Sequence, residues 1–538
     1  MKEANTLVPF LLIVGMGGVL LYGTLTSGQG WADDFAAYIM QAKSLTEAAP
    51  GGFIEANRFT IEQSSRALGP VTYPWGFPVL LAPFYAVFGL NMIALKAVGT
   101  LSYVLFLVLL WFGFRRVHSP FWFLCLVCLF ALNPALLAFS NNILSDLPFL
   151  LFSTLGLVLI GALVIEGRCL ISRLWDSVLI GVVITAAFFV RTNGVLLLVS
   201  LGFSQLVSFL QRQSQECQRN TKDERCLISL RDFLSVGSVS AKPLLLHLVP
   251  YAVFFCSVVV WELALPKGGE SYVSHLKSIS AAMIKDHLHY YVDLPSAFFY
   301  GVPHGHLLYG ASLPLAVAGV IRRYRLDYHA IAYVALTPFL YIIWPYIQGL
   351  RFLFPILPFY VSFVLSGLEA FQGGTTGVEK RLRKLVCYVP VVLIILCFAL
   401  HSARGVYANI SRDRETALGP FTATSESMFS FVAEHTEEGS TVIFFKPRVL
   451  KLMTNRKSIM INKVEQLSRG DYLCLYLGSD SYDQVSVAAV EELRGKGAAR
   501  LVYENSDFRV YRLRNVRKEP HNNALHTDGD SAALHPRR

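Results

Sequence analysis

Charged residues are scarce in this sequence. Only 16% of its 538 residues are charged, whereas 54% are hydrophobic and the mean hydropathy is +0.48. Soluble domains usually carry about 25% charged residues. The charges cluster in short islands between apolar runs of roughly twenty residues, the length that crosses a hydrocarbon core of about 30 Å. The composition therefore excludes an ordinary soluble protein and predicts a polytopic membrane protein.

Several familiar signatures are also missing. No A-x-A cleavage site follows the first apolar run, so we interpret that run as an uncleaved membrane helix rather than a signal peptide. The net charge of +10 is not accompanied by a DNA-binding or RNA-binding motif, and nucleic acid is not a predicted partner. G-x-G-x-x-G and Walker A patterns are absent, so no nucleotide site is indicated. The C-terminal region has one cysteine, Cys474, which excludes a disulfide framework there.

The apolar runs predict about eleven transmembrane helices. A further apolar stretch, 77–90, contains Pro78 and Pro83 and is too short to span; we expect it to lie at the interface or to re-enter the bilayer. The predicted spans are 6–26, 92–114, 121–139, 147–165, 176–190, 194–211, 244–264, 306–321, 329–345, 352–370 and 385–402.

Basic residues concentrate in the loops on one side of these spans. Such loops face the cytoplasm, which places the N-terminus inside and predicts three large outer segments, 27–91, 265–305 and 403–538. The short outer loops hold few cations, chiefly Arg191 and Arg351. The basic residues of the inner loops are Arg115, Arg116, Arg168, Arg173, Arg212, Arg219, Lys222, Arg225, Arg231, Lys242, Arg322, Arg323, Arg325, Lys380, Arg381, Arg383 and Lys384.

Three regions follow from this pattern. Residues 1–403 form the predicted transmembrane domain with outer loops 27–91 and 265–305, residues 404–518 a small outer α/β domain, and residues 519–538 a disordered tail. The elements predicted for the α/β domain are a helix at 424–435 capped by Thr424 or Ser425, a strand at 441–445, a helix at 447–454, a strand at 472–478, a helix at 484–495 and a hairpin at 499–513.

An acidic pair, Asp33 and Asp34, follows the first span and opens a predicted amphipathic helix with Tyr38 on its apolar face. Two interpretations stay open. Carboxylates in a first helical turn are favoured by the helix dipole, so the pair could simply begin an interfacial helix. Alternatively, one carboxylate could act as a general base that takes a proton from an acceptor hydroxyl.

The residues after this helix carry a family resemblance. The stretch from Tyr73 to Pro83 reads Y-P-W-G-F-P-V-L-L-A-P and leads to Gly89. An acidic pair, a tyrosine-bearing helix and this turn together resemble the GT-C glycosyltransferases. Within that superfamily the sequence is most similar to the protein mannosyltransferase, aminoarabinose transferase and RgtA/B/C/D-like types. The resemblance implies that Asp33 is the catalytic base and that Asp34 matches the neighbouring acidic position.

A third acidic residue, Asp146, lies in the sequence Ser145-Asp146-Leu-Pro148 at the start of the fourth predicted span. The resemblance implies a catalytic role for Asp146, because the family has an acidic residue in its second outer loop. The alternative is purely structural: Ser145 could cap the helix, with Pro148 in its first turn. The two interpretations are compatible.

Three cations near the outer ends of spans are candidate donor-binding residues: Arg191, Arg351 and Lys96. The segment from Arg351 to Pro358 is similar to the family's R-[YF]-x-x-P-x-x-P element. Ionisable residues at membrane depth are costly and usually functional. Phosphate is a natural partner for them. The alternative is that each side chain snorkels to lipid headgroups.

The loop 265–305 is predicted to cover the substrate, and Glu270, Tyr73 and Tyr38 are the candidate substrate-contacting residues. The loop also contains two H-x-H pairs, His287 with His289 and His304 with His306. Histidines two apart diverge on a helix, so a divalent metal is not the favoured interpretation, although it stays open as an alternative, and the sequence identifies no other cofactor.

The resemblance implies an inverting glycosyltransferase that uses a polyprenyl-phosphate-linked sugar. The implied acceptor is a hydroxyl of a glycan, lipid or protein on the periplasmic side of a bacterial inner membrane. Two alternatives remain. One is a transporter or lipid flippase, although the paired helix breaks typical of transporters are not evident. The other is a non-catalytic membrane protein with an outer α/β domain.

Overall fold

A computed structural model of the chain describes residues 4–66, 68–165, 174–220, 241–266, 268, 279–372, 378–416, 418–478 and 482–514. Most of the described residues are helical. The first half contains α1 (Ala4–Thr24), α2 (Asp34–Thr46), α3 (Pro50–Glu62), α4 (Gly76–Phe88), α5 (Met92–Phe114), α6 (Pro120–Ala131), α7 (Pro134–Ser140), α8 (Asp146–Ile160), α9 (Leu174–Val190), α10 (Leu196–Asn220) and α11 (Ala241–Ala264).

The second half completes the helical region and adds a small sheet. Its elements are α12 (Ala281–Asp293), α13 (Gly305–Arg323), α14 (Tyr328–Ile343), α15 (Leu357–Phe371), α16 (Val378–Ile410), α17 (Ala423–His435), β1 (Thr441–Ile443), α18 (Pro447–Thr454), β2 (Lys457–Ile459), β3 (Tyr472–Tyr476), α19 (Val487–Gly495), β4 (Ala499–Glu504) and β5 (Phe508–Leu513). Five short helical turns of other types join them: Gly161–Ile165, Thr192–Val195, Leu294–Phe299, Leu350–Ile356 and Val464–Arg469.

The structure confirms a polytopic helical protein, and every predicted span coincides with helix. Among the described residues, seven helices are long and apolar enough to cross a membrane, or eight if the bent pair α6 and α7 is one span. Helices α4, α9 and α14 are apolar but shorter. The number eleven therefore stays a prediction.

The third predicted span, 121–139, is broken rather than continuous. Helices α6 and α7 meet at an angle of 47°. The break lies at Asn133-Pro134, because proline lacks the N–H that a continuing helix needs. The Asn133 side chain instead starts α7 by accepting hydrogen bonds from the backbone N–H groups of Ala135 (3.0 Å) and Leu136 (3.2 Å).

Helix α2 does not lie as a separate interfacial helix, which was one of the two interpretations of its sequence. Polar side chains such as Gln41 and Ser44 are buried along with the apolar face. The physical reason is that α2 is covered on several sides, because α3 and α4 pack against it from the outer loop and α18 from the outer domain. Polar side chains of α2 reach solvent chiefly near its C-terminal end, where the Lys43 side chain is 43% exposed.

The outer domain contains one five-stranded sheet in the order β2-β1-β3-β5-β4. Strands β2, β1 and β3 are parallel, and β5 and β4 form the antiparallel hairpin that was predicted. The prediction missed β2, which has only three residues. It was also wrong about the cap of α17, because Thr422 accepts the hydrogen bond from the Ser425 N–H at 3.4 Å.

The outer domain shares its core with the outer loop. Phe35 and Phe77 belong to the same buried apolar cluster as Val442 and Phe445 of the domain. A backbone hydrogen bond also connects the outer loop to the outer domain: the Ser65 N–H donates to the Met460 carbonyl at 2.8 Å. The tail predicted to be disordered, 519–538, lies outside the described residues.

Candidate functional site

Asp34, the first residue of α2, lies at the centre of a group of charged side chains. Its Oδ1 accepts a hydrogen bond from the Tyr73 hydroxyl at 2.6 Å, and its Oδ2 accepts one from Arg351 Nη2 at 3.3 Å. Arg351 comes from the turn that precedes α15. Three chain segments therefore meet at Asp34: the start of α2, the outer loop and the start of the tenth predicted span.

Asp146, the first residue of α8, extends this group. Its side chain is only 2% exposed and forms an ion pair with Arg191. Arg351 also reaches Asp146, with 3.7 Å between Nη1 and Oδ2. The four side chains alternate in sign in the order Asp34, Arg351, Asp146, Arg191, and we refer to them as the charge cluster.

The charge cluster forms because four chain segments begin or end at the same level. Helices α2 and α8 begin there with their carboxylates, where the helix dipole favours negative charge. Helix α9 ends at Val190, and Arg191 follows it in extended conformation. The Phe352 ring lies 4.0 Å from the Arg191 guanidinium carbon and forms one wall of the group.

The structural alternative for Asp146 is observed only in part, because Pro148 lies in the first turn of α8 but the Ser145 side chain does not cap the helix. Ser145 occupies the cap position of α8 without a side-chain capping hydrogen bond. Its hydroxyl instead lies 3.1 Å from the Tyr38 hydroxyl. Tyr38 in turn packs its ring 4.5 Å from that of Tyr73. Burial raises the pKa of both tyrosines, so both hydroxyls stay protonated and can donate hydrogen bonds.

Asp33 lies beside the charge cluster but has different partners. It precedes α2 and makes no side-chain capping hydrogen bond. Both carboxylate oxygens are buried without a side-chain hydrogen-bond donor, and the nearest cation is Arg448, with 3.7 Å between Nε and Oδ2. Burial raises the pKa of Asp33 from 3.8 to about 6, although Arg448 and Lys446 lower it.

Asp33 therefore forms its ion pair with Arg448 rather than with Arg191 or Arg351, the predicted donor-binding arginines. The adjacent residue Asp34 makes that contact instead. Successive residues at the start of a helix point in different directions, so one member of the pair faces the charge cluster and the other faces α18 of the outer domain. The sequence could not assign these two different surroundings to the two members of the pair.

Lys96 shares no hydrogen-bond partner with Arg191 or Arg351 among the described residues. It is fully buried in α5, and its Nζ donates to the Thr26 carbonyl (2.9 Å), the Asn141 Oδ1 (2.8 Å) and the Gly28 carbonyl. These partners belong to the segment after α1 and to the turn before α8. The contacts brace those two segments and give no support to a role in phosphate binding.

The predicted covering loop is described only in part. Glu270 lies outside the described residues. His287 is buried, with Nδ1 at 3.2 Å from the Ile342 carbonyl oxygen, and His306 is exposed beside Asp293. Within the part of the chain that the structure describes, no group of three or more His, Cys, Asp or Glu residues could hold a metal ion.

Sequence reasoning gave no role to Arg448, which contacts Asp33 from the outer domain. Arg448 could not be linked to Asp33 from the sequence, because the acidic pair and α18 are far apart in the chain and no local pattern connects them.

Neither a protein-family profile nor a curated protein sequence matches this chain. Solved structures do match. ArnT from Cupriavidus metallidurans, in its apo state, has a TM-score of 0.55 at 12% identity, covering 95% of this chain and 98% of that protein. The same protein bound to undecaprenyl phosphate has a TM-score of 0.54 at 12% identity, covering 94% and 98%.

An archaeal structure is also similar. The apo oligosaccharyltransferase of Archaeoglobus fulgidus has a TM-score of 0.50 at 11% identity, with 88% of this chain and 69% of that protein covered. At these identities the likeness concerns the fold. The chain therefore shares the fold of ArnT and of the archaeal oligosaccharyltransferase.

Proposed function

We propose that this protein is an inverting glycosyltransferase of a bacterial inner membrane. It transfers a sugar from a polyprenyl-phosphate donor to an acceptor hydroxyl on the periplasmic side. The observation that carries the proposal is the charge cluster, in which two guanidinium groups and two carboxylates meet at the ends of apolar helices. Ionisable groups so placed are costly in a membrane protein and are typical of functional sites.

Arg351 and Arg191 bind the donor phosphate in this proposal. Guanidinium groups suit phosphate because they offer several donors in a fixed plane. The contacts of Arg351 at 3.3 and 3.7 Å are long, so a phosphate can replace a carboxylate as its partner. Positive charge here stabilises the phosphate as it leaves with the electrons of the sugar–oxygen bond. Lys96 has no contact with these groups, and we leave it out.

Asp33 is the general base. Its oxygens are free of side-chain donors, and a pKa of about 6 lies near the operating pH, where a base is most effective. It takes the proton of the acceptor hydroxyl while the acceptor oxygen attacks the anomeric carbon. The sugar–phosphate bond breaks on the opposite face, which inverts the anomeric centre. Asp34 and Asp146 orient the arginines. Tyr38 and Tyr73 line the space in which the substrate binds.

The donor class follows from the fold and the position of the site. A sugar nucleotide in the cytosol cannot reach the periplasmic face, whereas a prenyl chain reaches it through the bilayer. The similar ArnT structure contains undecaprenyl phosphate, which supports a donor of this kind. The acceptor is the hydroxyl of a glycan, lipid or protein.

Mass spectrometry of envelope lipids and glycans from cells with and without the gene tests the proposal. We expect one hexose or pentose unit to disappear from one acceptor when the gene is deleted. Complementation with Asp33→Asn should leave the unit missing although the protein is made, with a loss of about 10²- to 10⁴-fold in transfer. Glu438→Gln, at an exposed position of the outer domain, is the matched control and should restore it.

Two results would contradict the proposal. Full complementation by Asp33→Asn, together with failure of Asp34→Asn, would move the role of base to Asp34. An unchanged set of glycans in the deletion strain, with a lipid redistributed between leaflets, would favour a flippase.

A further inference from the structure

Arg448 belongs to the outer domain, yet it is fully buried. It is the second residue of α18, and none of its surface is exposed. A buried cation is costly unless its charge and its hydrogen-bond donors find partners. The partners of Arg448 therefore show what this residue is placed to do.

The hydrogen bonds of Arg448 fix the loop between α3 and α4. Its Nε donates to Asn57 Oδ1 at 3.0 Å, and its Nη2 donates to the Pro70 carbonyl at 2.7 Å. Asn57 donates in turn to the Val71 carbonyl at 2.5 Å. This loop leads directly to Tyr73, so Arg448 sets the position of the segment that carries Tyr73.

The charge of Arg448 faces the acidic pair. Asp33 is its nearest carboxylate, at 3.7 Å, and its guanidinium carbon lies 5.8 Å from the centre of the Tyr73 ring. Tyr73 donates its hydroxyl to Asp34. Arg448 thus reaches one member of the pair by charge and the other through Tyr73. Its Nη1, which is buried, has no hydrogen-bond partner among the described residues.

We propose that Arg448 is a positioning residue for the acidic pair, and that the outer domain is a working part of the transfer site. This inference rests on the glycosyl transfer proposed above and deepens it. The cation holds the Asp33 carboxylate beside α18, while the loop contacts keep Tyr73 against Asp34. A site without the outer domain lacks both effects.

The electrostatic consequence can be measured. Three charged groups influence Asp33: Arg448 and Lys446 lower its pKa, and Asp34 raises it. Burial raises it further and is the largest cause. When the cation at position 448 is removed, the pKa of Asp33 rises above about 6, and less of the base is ionised at neutral pH.

The test compares Arg448→Gln, Arg448→Lys and Arg456→Gln in the full-length protein, with kcat measured against pH. We expect Arg448→Gln to lower kcat about tenfold or more and to move the acidic limb of the profile up by about one pH unit. Arg448→Lys keeps the charge and should return the limb towards its original position. Arg456→Gln should leave the limb unmoved, because Arg456 donates within the outer domain to the Ala433 and Thr436 carbonyls.

If the parent protein is active and Arg448→Gln does not move the acidic limb of the pH profile, the inference is overturned. A fall in kcat alone would not support it, because the loss of a merely structural residue also lowers kcat. Absence of transfer by the parent protein would count against the proposed function instead. In that case, melting temperatures of Asp33→Asn, Arg448→Gln and the double variant test the pairing, because paired residues give non-additive shifts. Additive shifts overturn it. If Arg448→Gln does not fold, Arg448→Met, which fills similar space without the charge, supplies both measurements.

Discussion

At the scale of single residues, the acidic pair shows how neighbours acquire different chemistry. Asp34 has a donor on each oxygen, whereas Asp33 has none from a side chain and is buried against Arg448. A buried carboxylate without donors destabilises the folded protein when it is ionised. Such a cost is typical of functional sites, where geometry serves chemistry rather than stability.

The pKa of Asp33 predicts a stability effect with a definite sign. The folded protein holds this proton up to about pH 6, whereas the unfolded chain releases it near 3.8. Ionisation of Asp33 therefore lowers the free energy of unfolding progressively as the pH rises from 3.8 through about 6. The full loss is about 3 kcal/mol, because the two pKa values differ by about two and each pKa unit corresponds to about 1.36 kcal/mol. Asp33→Asn should raise the melting temperature at pH 8, and the gain should vanish towards pH 4. A lower melting temperature at pH 8 would contradict the buried charge.

Lys96 is expected to be structural. Replacement by methionine removes a buried donor from the Thr26 and Gly28 carbonyls and from Asn141. Unpaired buried acceptors cost about 1–3 kcal/mol each. Lys96→Met should therefore lower the melting temperature while the KM for the lipid donor stays within about twofold. A rise of tenfold or more in that KM without loss of stability would return Lys96 to the phosphate site.

At the scale of elements, the site depends on close packing of short helices. Gly76 begins α4 and lies against the end of α9, where a Cβ atom would come within 2.6 Å of the Val190 backbone nitrogen. Only glycine permits this approach. Because α4 follows Tyr73 and α9 precedes Arg191, their contact sets the distance between the two sides of the site.

Gly76→Ala should therefore push α4 away from α9 and separate Tyr73 from the charge cluster. We expect a lower melting temperature and at least a tenfold loss of transfer, measured on the same purified sample. Gly51→Ala, in α3, is the matched control because a Cβ there meets no atom within 4 Å. Equal behaviour of the two variants would show that the close approach is unimportant.

At the scale of the whole molecule, the outer loop and the outer domain form one folded body above the helices. They share a buried apolar cluster that includes Phe77 and Phe445. The site lies where this body meets the helix ends. We therefore expect the outer domain and the acidic pair to be on the same, periplasmic side of the membrane.

Cysteine labelling in intact spheroplasts tests this orientation. Gly439→Cys, exposed in the outer domain, should react with a membrane-impermeant maleimide, whereas Arg116→Cys, exposed after α5, should react only after lysis. The unaltered chain measures the background from its own cysteines. The reverse labelling pattern would show that the outer domain faces the cytoplasm, and this would contradict transfer to a periplasmic acceptor.

The sequence by itself determined the membrane class, the position of the helices and the proposed orientation. These properties depend on local composition, apolar length and the side on which basic residues lie, all of which can be read along the chain. The Y-P-x-G-x-P turn and the acidic pair also carried the resemblance to the GT-C glycosyltransferases, and the fold is similar to that of ArnT and of the archaeal oligosaccharyltransferase.

Only the tertiary structure decided which charges are partners. Arg351 pairs with Asp34 and Asp146, Arg448 with Asp33, and Lys96 with backbone carbonyl groups. These partners are distant in the chain, and their choice depends on how α2, α8 and α18 pack together. Local sequence contains no record of that packing, so it could indicate the candidate residues but not their contacts.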